Sequence, residues 1–441
     1  MEWYSEPARR IPVVDSVDVL VVGGGPAGVS AAIAAAREGA KTMLIEQCGD
    51  VGGVATTGLM SHWTGNTRGG FYEEILERSR DDGGPGHGDA LRQTINPEKL
   101  KTVFLEMLEE AGVLLRLYTM AASPIVEEDT IKGVILESKS GREAVCAGIV
   151  IDASGDGDVA ARAGVPFHTG READRKMQPV SLMFKVAGVD TSRAVFPGAF
   201  EESFQVEKGD LQTLGKEHLP FPAGHVLLYR TTLPGVVTCN MTNCIDIDGT
   251  NTEDLTRAVL ICRRQIDAIT AFLREYVPGF ENCYCISSAS SIGVRETRHF
   301  AGEATLTQED ILHARQFPDW VVKQAHFNFD VHNMTGNGLD ETGLQKHFPQ
   351  SRGYSIPYGC LVPQKIDNLL LAGRNISGTH LAHSSYRVMP ICSKVGEAAG
   401  VAAALCAALG CRPRELPAVK IQERLEKREK ESNEGTALQE G

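Results

Sequence analysis

The chain has 441 residues, of which 42% are hydrophobic and 23% are charged, a composition typical of a globular protein with room for two domains. Its 44 basic and 57 acidic residues give a net charge of −13, which disfavours nucleic acid or an anionic membrane surface as a partner. We expect no membrane insertion, because we find no apolar run long enough to span a bilayer. The eleven cysteines contain no Cys-x-x-Cys pair and follow no secretory signal, so we predict reduced thiols, no metal site and a cytoplasmic location.

The first strong pattern along the chain is a nucleotide-binding fingerprint. The β-branched apolar run from Val19 to Val22 predicts a buried parallel strand, and three glycines follow it in Gly-x-Gly-x-x-Gly spacing. Gly23 allows the tight turn, Gly25 lets the backbone approach a pyrophosphate, and Gly28 lets the next helix pack close to the strand.

A helix and a second strand complete this fingerprint. The helix is predicted from Pro26 to Arg37, and its first turn, with Pro26 and Ala27, offers free N–H groups to phosphates. The strand from Thr42 to Ile45 ends at Glu46, whose carboxylate can accept hydrogen bonds from ribose hydroxyls. The whole unit predicts a dinucleotide site.

Two further turns made of small residues could bring backbone close to a nucleotide. The first contains Gly52 and Gly53. The second follows the apolar strand that begins at Ile149 and consists of Ala153, Ser154 and Gly155. Between them we predict a helix from Phe71 to Arg80, a helix capped by Asn96, and a β-meander from Leu114 to Ile151. The glycine-rich segment 81–89 is either a lid or a surface loop.

From about residue 166 the pattern changes to a second, α+β region with a mainly antiparallel sheet. Strands are predicted at Val180–Val186, Val226–Tyr229 and Val236–Asn240, and a helix at Thr252–Tyr276. Arg295 follows in this region.

The segment 326–332 reads as a strand with one polar face. Alternation places the polar residues on one side, opposite two phenylalanines and a valine; they are His326, Asn328, Asp330 and His332. Such a face is either solvated or the wall of a polar pocket. For the second case we interpret His332 as a candidate base, because imidazole can take a proton near neutral pH.

The last part of the chain returns to strand and helix. An apolar strand, Asn368–Ala372, is followed by Gly373 and Arg374, and a helix is predicted from Ile391 to Leu409, with Gly396 permitting close packing. Candidate catalytic residues lie just before that helix: His380, His383 and Arg387. After residue 417 the highly charged tail predicts a solvated helix.

With the glycine fingerprint, the Gly-Gly pair, IDASGDGD and AGRNISGTHLAHSSYRVMPICSKVGEAAG, the chain resembles FAD-dependent oxidoreductases related to fumarate reductase and succinate dehydrogenase flavoproteins, in a bacterial branch. The resemblance implies FAD and an α/β fold: a discontinuous Rossmann-like FAD-binding domain (12–165 and 355–415), an inserted α+β substrate domain (166–354), and a charged tail (416–441). It implies adenosine at Glu46, pyrophosphate at Gly23–Gly28 and near Gly52, and the flavin ring near Gly373, Arg374 and Met389.

Three functions are consistent with these patterns. In the first, an FAD enzyme moves a hydride between flavin N5 and a small polar substrate, such as a hydroxy acid, sugar derivative or amine, with a histidine as base and with Arg295 or Arg387 holding a carboxylate. In the second, the enzyme reduces an activated C=C bond and an arginine donates the proton. In the third, the chain is the flavin subunit of a larger electron-transfer complex. The electron acceptor is unidentified, and a homo-oligomer is possible.

Overall fold

The computed structural model describes residues 2–67, 69–80, 92–200, 202–340 and 353–439, so segment 81–89 lies outside it. The helices are α1 (Pro26–Arg37), α2 (Phe71–Arg78), α3 (Pro97–Glu110), α4 (Asp158–Arg162), α5 (Leu211–His218), α6 (Thr252–Tyr276), α7 (Gln308–Leu312), α8 (His380–Tyr386), α9 (Met389–Leu409) and α10 (Ala418–Gln439).

The strands are β1 (Val13–Val22), β2 (Thr42–Ile45), β3 (His62–Thr64), β4 (Arg92–Thr94), β5 (Leu114–Arg116), β6 (Met120–Glu127), β7 (Thr130–Ser138), β8 (Gly141–Asp152), β9 (Phe167–Thr169), β10 (Phe184–Ala187), β11 (Gln205–Val206), β12 (Gly209–Asp210), β13 (Leu228–Arg230), β14 (Val237–Cys239), β15 (Tyr284–Ser288), β16 (Arg298–Phe300), β17 (Trp320–Ala325), β18 (Tyr354–Pro357) and β19 (Leu369–Leu371).

A seven-stranded sheet forms the first layer, in the order β5-β2-β1-β8-β7-β6, with β19 beside β8. Strand β1 is parallel to β2 and to β8, and β19 is parallel to the last residues of β8. The predicted α/β fold is therefore confirmed, and the last strand comes from the far end of the chain. The carboxyl ends of β1, β2, β8 and β19 meet at one edge, where such sheets bind ligands.

The β-meander prediction is confirmed only in part. Strands β6, β7 and β8 are antiparallel neighbours, as the meander requires. Strand β5 instead lies parallel to β2 at the opposite end of the sheet. Strand β8 begins at Gly141, whose φ of +99° lies in the left-handed region that glycine tolerates.

Helices α1 and α9 pack tightly against each other beside the sheet. A Cβ added to Gly396 would lie 2.0 Å from the carbonyl oxygen of Ala27, and one added to Gly400 would lie 2.2 Å from that of Ala31. Gly396 therefore permits the predicted close packing of the two helices; that it also binds the cofactor stays a prediction, and it does not line the cavity described below. The helix also begins two residues earlier than predicted, at Met389, with Val388 as its N-cap.

A four-stranded antiparallel sheet, in the order β13-β14-β10-β15, forms the second layer, and α6 packs against it. Its hydrophobic core is separate from that of the first layer and runs from Val180 to Ala289, apart from a contribution by Leu59. Apart from Val331 and Met334, the buried hydrophobic residues from Phe300 onward pack in the first core. The second core thus occupies a shorter stretch than the predicted domain 166–354, whose bounds stay a prediction.

The prediction of a strand at 326–332 was wrong. The regular strand, β17, ends at Ala325, and beyond it His326 and His332 make only isolated bridges, to Asn66 and Leu339. Gln324, inside β17, has a φ of +53°, and the register with β18 shifts there, so the pairing is already irregular before residue 326.

The tail helix was predicted to be solvated, but part of it is buried. In α10, Ile421 and Leu425 are buried, and Arg428 donates to the carbonyl of Ala34 and to Glu38. Its early turns are therefore part of the first layer. In the described chain, α9 is the one helix long and apolar enough to cross a membrane, and 83% of its most apolar window is buried inside the protein, as in a core helix.

Candidate active site

A cavity of about 690 Å³ opens at the carboxyl edge of the first sheet and extends to the second sheet. Many residues predicted to bind the cofactor line it. On the side of the fingerprint these are Gly23, Gly25, Pro26, Ala27, Glu46 and Gly53. On the side of β8 and β19 they are Ala153, Ser154, Gly155, Gly373, Arg374 and Met389.

The glycine turn after β1 leaves room for a phosphate. Nothing lies within 4 Å of the position that a Cβ would take on Gly25, at the N-terminus of α1. By contrast, a Cβ on Gly28 would lie 1.8 Å from the carbonyl oxygen of Gly23, and one on Gly52 would meet Thr56. Gly28 and Gly52 therefore act in packing behind the cavity wall, whereas Gly25 faces the cavity itself.

Glu46 is held in place by backbone amides. One carboxylate oxygen accepts from the N–H of Gly24 at 2.6 Å and the other from the N–H of Cys48 at 2.8 Å. The side chain is buried but borders the cavity, so its remaining lone pairs are directed where the fingerprint requires a ribose.

Arg374 follows β19 and reaches across to the turn after β8. Its Nη2 donates to Asp156 at 2.5 Å, while its Nε is buried and has no hydrogen-bond partner among the described residues. An orphaned donor in a cavity wall is costly unless a ligand accepts from it. This end of the cavity therefore suits a ligand that carries acceptor atoms.

Four titratable side chains converge at the other end of the cavity: Arg295, Asp330, His332 and Arg387. Arg387 donates to Asp330 Oδ2 at 2.9 Å and to its backbone carbonyl at 3.0 Å. His332 Nε2 lies 3.6 Å from Asp330 Oδ1. The irregular backbone of 326–332 allows this approach, since side chains at i and i+2 of a regular strand lie about 7 Å apart.

The protonation states follow from burial and from the neighbouring charges. Burial, and then the charge of Arg295, lower the pKa of His332 to about 4. Burial alone would raise the pKa of Asp330, but His332 and the two arginines outweigh it and lower that pKa. Burial and Arg387 lower the pKa of Arg295 to about 10. At neutral pH the group is therefore two cations, one carboxylate and a neutral imidazole.

Arg295 also anchors the far wall of the cavity. Its guanidinium donates to the carbonyl of Pro179 at 2.6 Å and to Ser181 Oγ at 3.0 Å. Asn240 lies 3.5 Å from that hydroxyl and 3.4 Å from the hydroxyl of Tyr229. The polar groups of this wall are thus bonded to one another.

His380 and His383 do not line the cavity; both are buried in a separate cluster. His380 Nδ1 and His299 Nε2 lie 2.5 and 2.8 Å from the same oxygen of Glu296. The His383 ring meets that of His299 edge-on at 5.0 Å. Burial lowers the pKa of His383 well below its ordinary value. These positions remove both residues from our candidates for the base.

The sequence signals for this arrangement were uneven. Arg295, His332 and Arg387 were predicted, and the structure brings them together. Asp330 was noticed only as part of a face, because its partner Arg387 lies 57 residues away. The buried cluster has one signal that we overlooked, the three-residue spacing of Glu296 and His299, which matches the spacing of His380 and His383. Phe200, which also borders the cavity, lies in a loop without any motif.

Fold and cavity together define a class, the α/β proteins that bind a dinucleotide where parallel strands end. The family described as FAD dependent oxidoreductase matches residues 18–425, and the chain belongs to that family. Membership confirms the predicted cofactor, FAD, and the predicted enzyme class, an oxidoreductase. The open space at Gly25 and the orphaned donor of Arg374 fit that cofactor.

Two curated proteins are similar to parts of the chain. The tRNA uridine 5-carboxymethylaminomethyl modification enzyme MnmG of Aquifex aeolicus is 44% identical over 82 residues, or 19% of this chain and 12% of that protein. Thiamine thiazole synthase of Methanococcus vannielii is 29% identical over 157 residues, or 32% of this chain and 56% of that protein. The chain thus spans less than two thirds of the length of either relative.

Two solved structures are similar to the chain at low sequence identity and with TM-scores below 0.5. The flavin-dependent brominase Bmp2 is 13% identical, with a TM-score of 0.49 over 92% of this chain and 83% of that chain. A geranylgeranyl bacteriochlorophyll reductase-like protein from Thermoplasma acidophilum is 15% identical, with a TM-score of 0.46 over 95% of this chain and 84% of that chain. Neither likeness bears on the substrate.

Proposed function

We propose that this FAD-dependent oxidoreductase moves a hydride between a small polar substrate (a hydroxy acid, sugar derivative or amine) and the cofactor. FAD, when bound, supplies the hydride acceptor or donor at N5. The observation that carries the proposal is the convergence of His332, Asp330, Arg295 and Arg387 at the end of the cavity away from the nucleotide fingerprint.

In this proposal His332 is the base that removes the substrate proton. Its Nε2–H is directed at Asp330, so Nδ1 is left as the proton acceptor. The low pKa, about 4, keeps the imidazole in its neutral, proton-accepting form throughout the physiological range, and it also makes the ring a weaker base than an ordinary histidine. Asp330 fixes the tautomer, and because it is bonded to Arg387 it keeps its own orientation.

The two arginines hold the substrate in this proposal. Their charges exceed that of Asp330, so the site favours an anionic group on the substrate. Arg295 is fixed by Pro179 and Ser181, and this fixed position would orient such a group without further ordering.

A second candidate function is the reduction of an activated C=C bond, as the resemblance to fumarate reductase flavoproteins suggests. One observation favours it: burial and the charge of Arg387 lower the pKa of Arg295 to about 10, so this guanidinium gives up a proton more readily than an ordinary arginine. In that case Arg295 would be the proton donor. A cytoplasmic location, which the eleven free thiols favour, and an unidentified electron acceptor complete the proposal.

Anaerobic mixing with candidate substrates tests both functions. We expect hydroxy acids or amines to bleach the flavin absorbance of the purified protein. If none does so, and the pre-reduced protein is reoxidised by an activated alkene under the same conditions, the second function is correct. If neither reaction occurs with any compound of a broad panel, both proposals fail.

A further inference from the structure

The part of the cavity beyond the four titratable side chains is lined mainly by apolar and aromatic groups. Phe200 and Tyr229 present rings to it, and Met183 and Leu227 add aliphatic surface. The ring of Tyr229 is held by stacking on His62, with centroids 4.6 Å apart and an angle of 11° between the ring planes. This wall is therefore a fixed apolar surface rather than a row of hydrogen-bonding groups.

Phe200 connects the apolar wall to the candidate base. Its ring meets that of His332 edge-on at a centroid distance of 5.0 Å, and that of His225 at the same distance. The positively polarised edge of one ring attracts the negatively polarised face of another, so these contacts hold Phe200 in place beside the cavity. A substrate whose reacting carbon lies near His332 therefore extends along the Phe200 ring.

The polar groups of the wall are already engaged with one another. Ser181 accepts from Arg295, and Asn240 lies between Ser181 and the Tyr229 hydroxyl. A sugar needs many partners for its hydroxyl groups, and these residues would have to break existing contacts to supply them. The wall thus disfavours sugars among the proposed substrates.

The charges of the four titratable side chains place a second requirement on the substrate. Arg295 and Arg387 carry two positive charges, Asp330 carries one negative charge, and the low pKa of His332 leaves its ring neutral. One positive charge remains uncompensated in an enclosed site, which a ligand with a single negative charge would balance. Arg295 and Arg387 both line the cavity, so their guanidinium groups can face such a ligand.

We propose that the substrate is a monocarboxylic acid with a planar apolar body, an aromatic ring or conjugated chain, whose carboxylate lies at Arg295 and Arg387 and whose body lies between Phe200 and Tyr229. This inference rests on the proposed function and narrows its hydroxy acids and amines to those that carry both features. It is a statement about binding and needs no turnover for its test.

Titration of the oxidised, FAD-loaded protein with benzoate, acetate and benzamide tests the two features separately. Each ligand is followed by the change in flavin absorbance, with equilibrium dialysis as a second readout. We expect benzoate to bind at least about tenfold more tightly than acetate, which lacks the ring, and than benzamide, which lacks the charge. Equal binding of benzoate and acetate, or of benzoate and benzamide, would overturn the proposal.

Variants assign the two contributions to residues. Phe200→Ala should weaken benzoate by about tenfold and leave acetate unchanged, whereas Arg295→Gln should weaken both anions. Phe196→Ala is the matched control: Phe196 lies four residues before Phe200 in the same loop, but its ring packs under Arg230 at 3.9 Å, outside the cavity lining. It should leave both binding constants unchanged.

The outcomes separate this inference from the function on which it rests. A Phe200→Ala variant that binds benzoate as tightly as the parent protein, with FAD retained, contradicts the planar body alone. Tight benzoate binding in a protein whose flavin no ring-bearing hydroxy or amino acid reduces, and no conjugated acid reoxidises, supports the inference about binding and contradicts the hydride-transfer function.

Discussion

Gly25 and His332 define the two ends of the cavity at the scale of single residues. At Gly25 the absence of a side chain leaves space that no other part of the described chain fills, at the positive end of a helix. At His332 burial keeps an imidazole neutral beside a carboxylate. In the proposed function, Gly25 would serve phosphate binding through the space it leaves, and His332 would serve proton transfer.

Replacement of Gly25 by valine should abolish FAD binding. The two added methyl groups would enter the space near α1 where the pyrophosphate meets the backbone, while the fold has no neighbour there to disturb. Flavin content after purification and reconstitution measures the effect, and circular dichroism checks the fold. Gly25→Ala, with one methyl group, should lose less affinity. Full flavin occupancy in Gly25→Val would show that the phosphates lie elsewhere.

Replacement of His332 by alanine should leave FAD content and the flavin spectrum intact but slow reduction of the flavin by a working substrate by roughly 10²-fold or more. Rapid mixing under anaerobic conditions measures the rate constant. His326→Ala is the control, because the Nδ1 atom of His326 lies 2.9 Å from the carbonyl oxygen of Gln324 and the residue does not border the cavity. A His332→Ala variant as fast as the parent would remove His332 from the mechanism.

The pH dependence of that rate should show the lowered pKa of His332. A base with an ordinary histidine pKa of 6.5 would lose activity as the pH falls through that value, whereas a base with a pKa of about 4 stays deprotonated until the pH approaches 4. We therefore expect a rate constant for flavin reduction that is level from neutral pH down to about pH 5 and then falls. A midpoint near 6.5 would contradict the assigned environment.

At the scale of helices and strands, sequence patterns predicted those elements whose bounds depend on neighbouring residues. Helix α1 and strand β2 have the predicted bounds, and Asn96 caps α3 by accepting from Glu98. The prediction of a strand at 326–332 was wrong, because regular pairing ends at Ala325 and His326 and His332 make isolated bridges to different parts of the chain. Asp330 and His332 of the candidate site lie on that irregular segment. The alternation of polar residues therefore identified residues that line the cavity, although the strand it predicted does not form.

The contact between α1 and α9 should be sensitive to any side chain at Gly396. Gly396→Val would place its Cβ about 2.0 Å from the carbonyl oxygen of Ala27, a backbone atom that cannot move without shifting the turn at the cavity. We expect a loss of about 1–3 kcal/mol or more in the free energy of unfolding, together with weaker FAD binding. Thermal unfolding and flavin content measure the two effects.

The control for this prediction is Leu409→Ala. Leu409 is the last residue of α9 and is 53% exposed, so its truncation should change the unfolding temperature little. A Gly396→Val variant as stable as the Leu409→Ala variant would mean that the two helices separate easily.

At the scale of the whole molecule, the two layers have different kinds of sheet. The first is mainly parallel, with the fingerprint between β1 and α1, and the second is antiparallel. A second dinucleotide site would need a second parallel β-α-β unit with its own glycine turn, and the sequence from 166 to 354 contains no further Gly-x-Gly-x-x-Gly. Composition and motifs therefore predicted the first layer well. The second layer was predicted only as a class, because its core forms from short strands with non-local partners.

Direct reduction of the flavin by NADH or NADPH should accordingly be slow. The sequence contains one such fingerprint, and we propose that FAD occupies it, so we expect no second fingerprint for a nicotinamide. Anaerobic mixing with excess NADH should bleach the flavin much more slowly than a working substrate does, and dithionite, which needs no binding site, serves as the positive control. Rapid bleaching by either nicotinamide would show a site that the fold does not suggest.

Strand β19 and helix α9 complete a cavity whose other walls are made by the first 332 residues. A ribosome adds about 5–20 residues per second, so the residues between His332 and Leu371 take roughly 2–8 seconds to add. Through that interval β8 lacks its neighbour and α1 lacks its partner helix. We therefore expect FAD to bind the nascent chain only after β19 and α9 have been made.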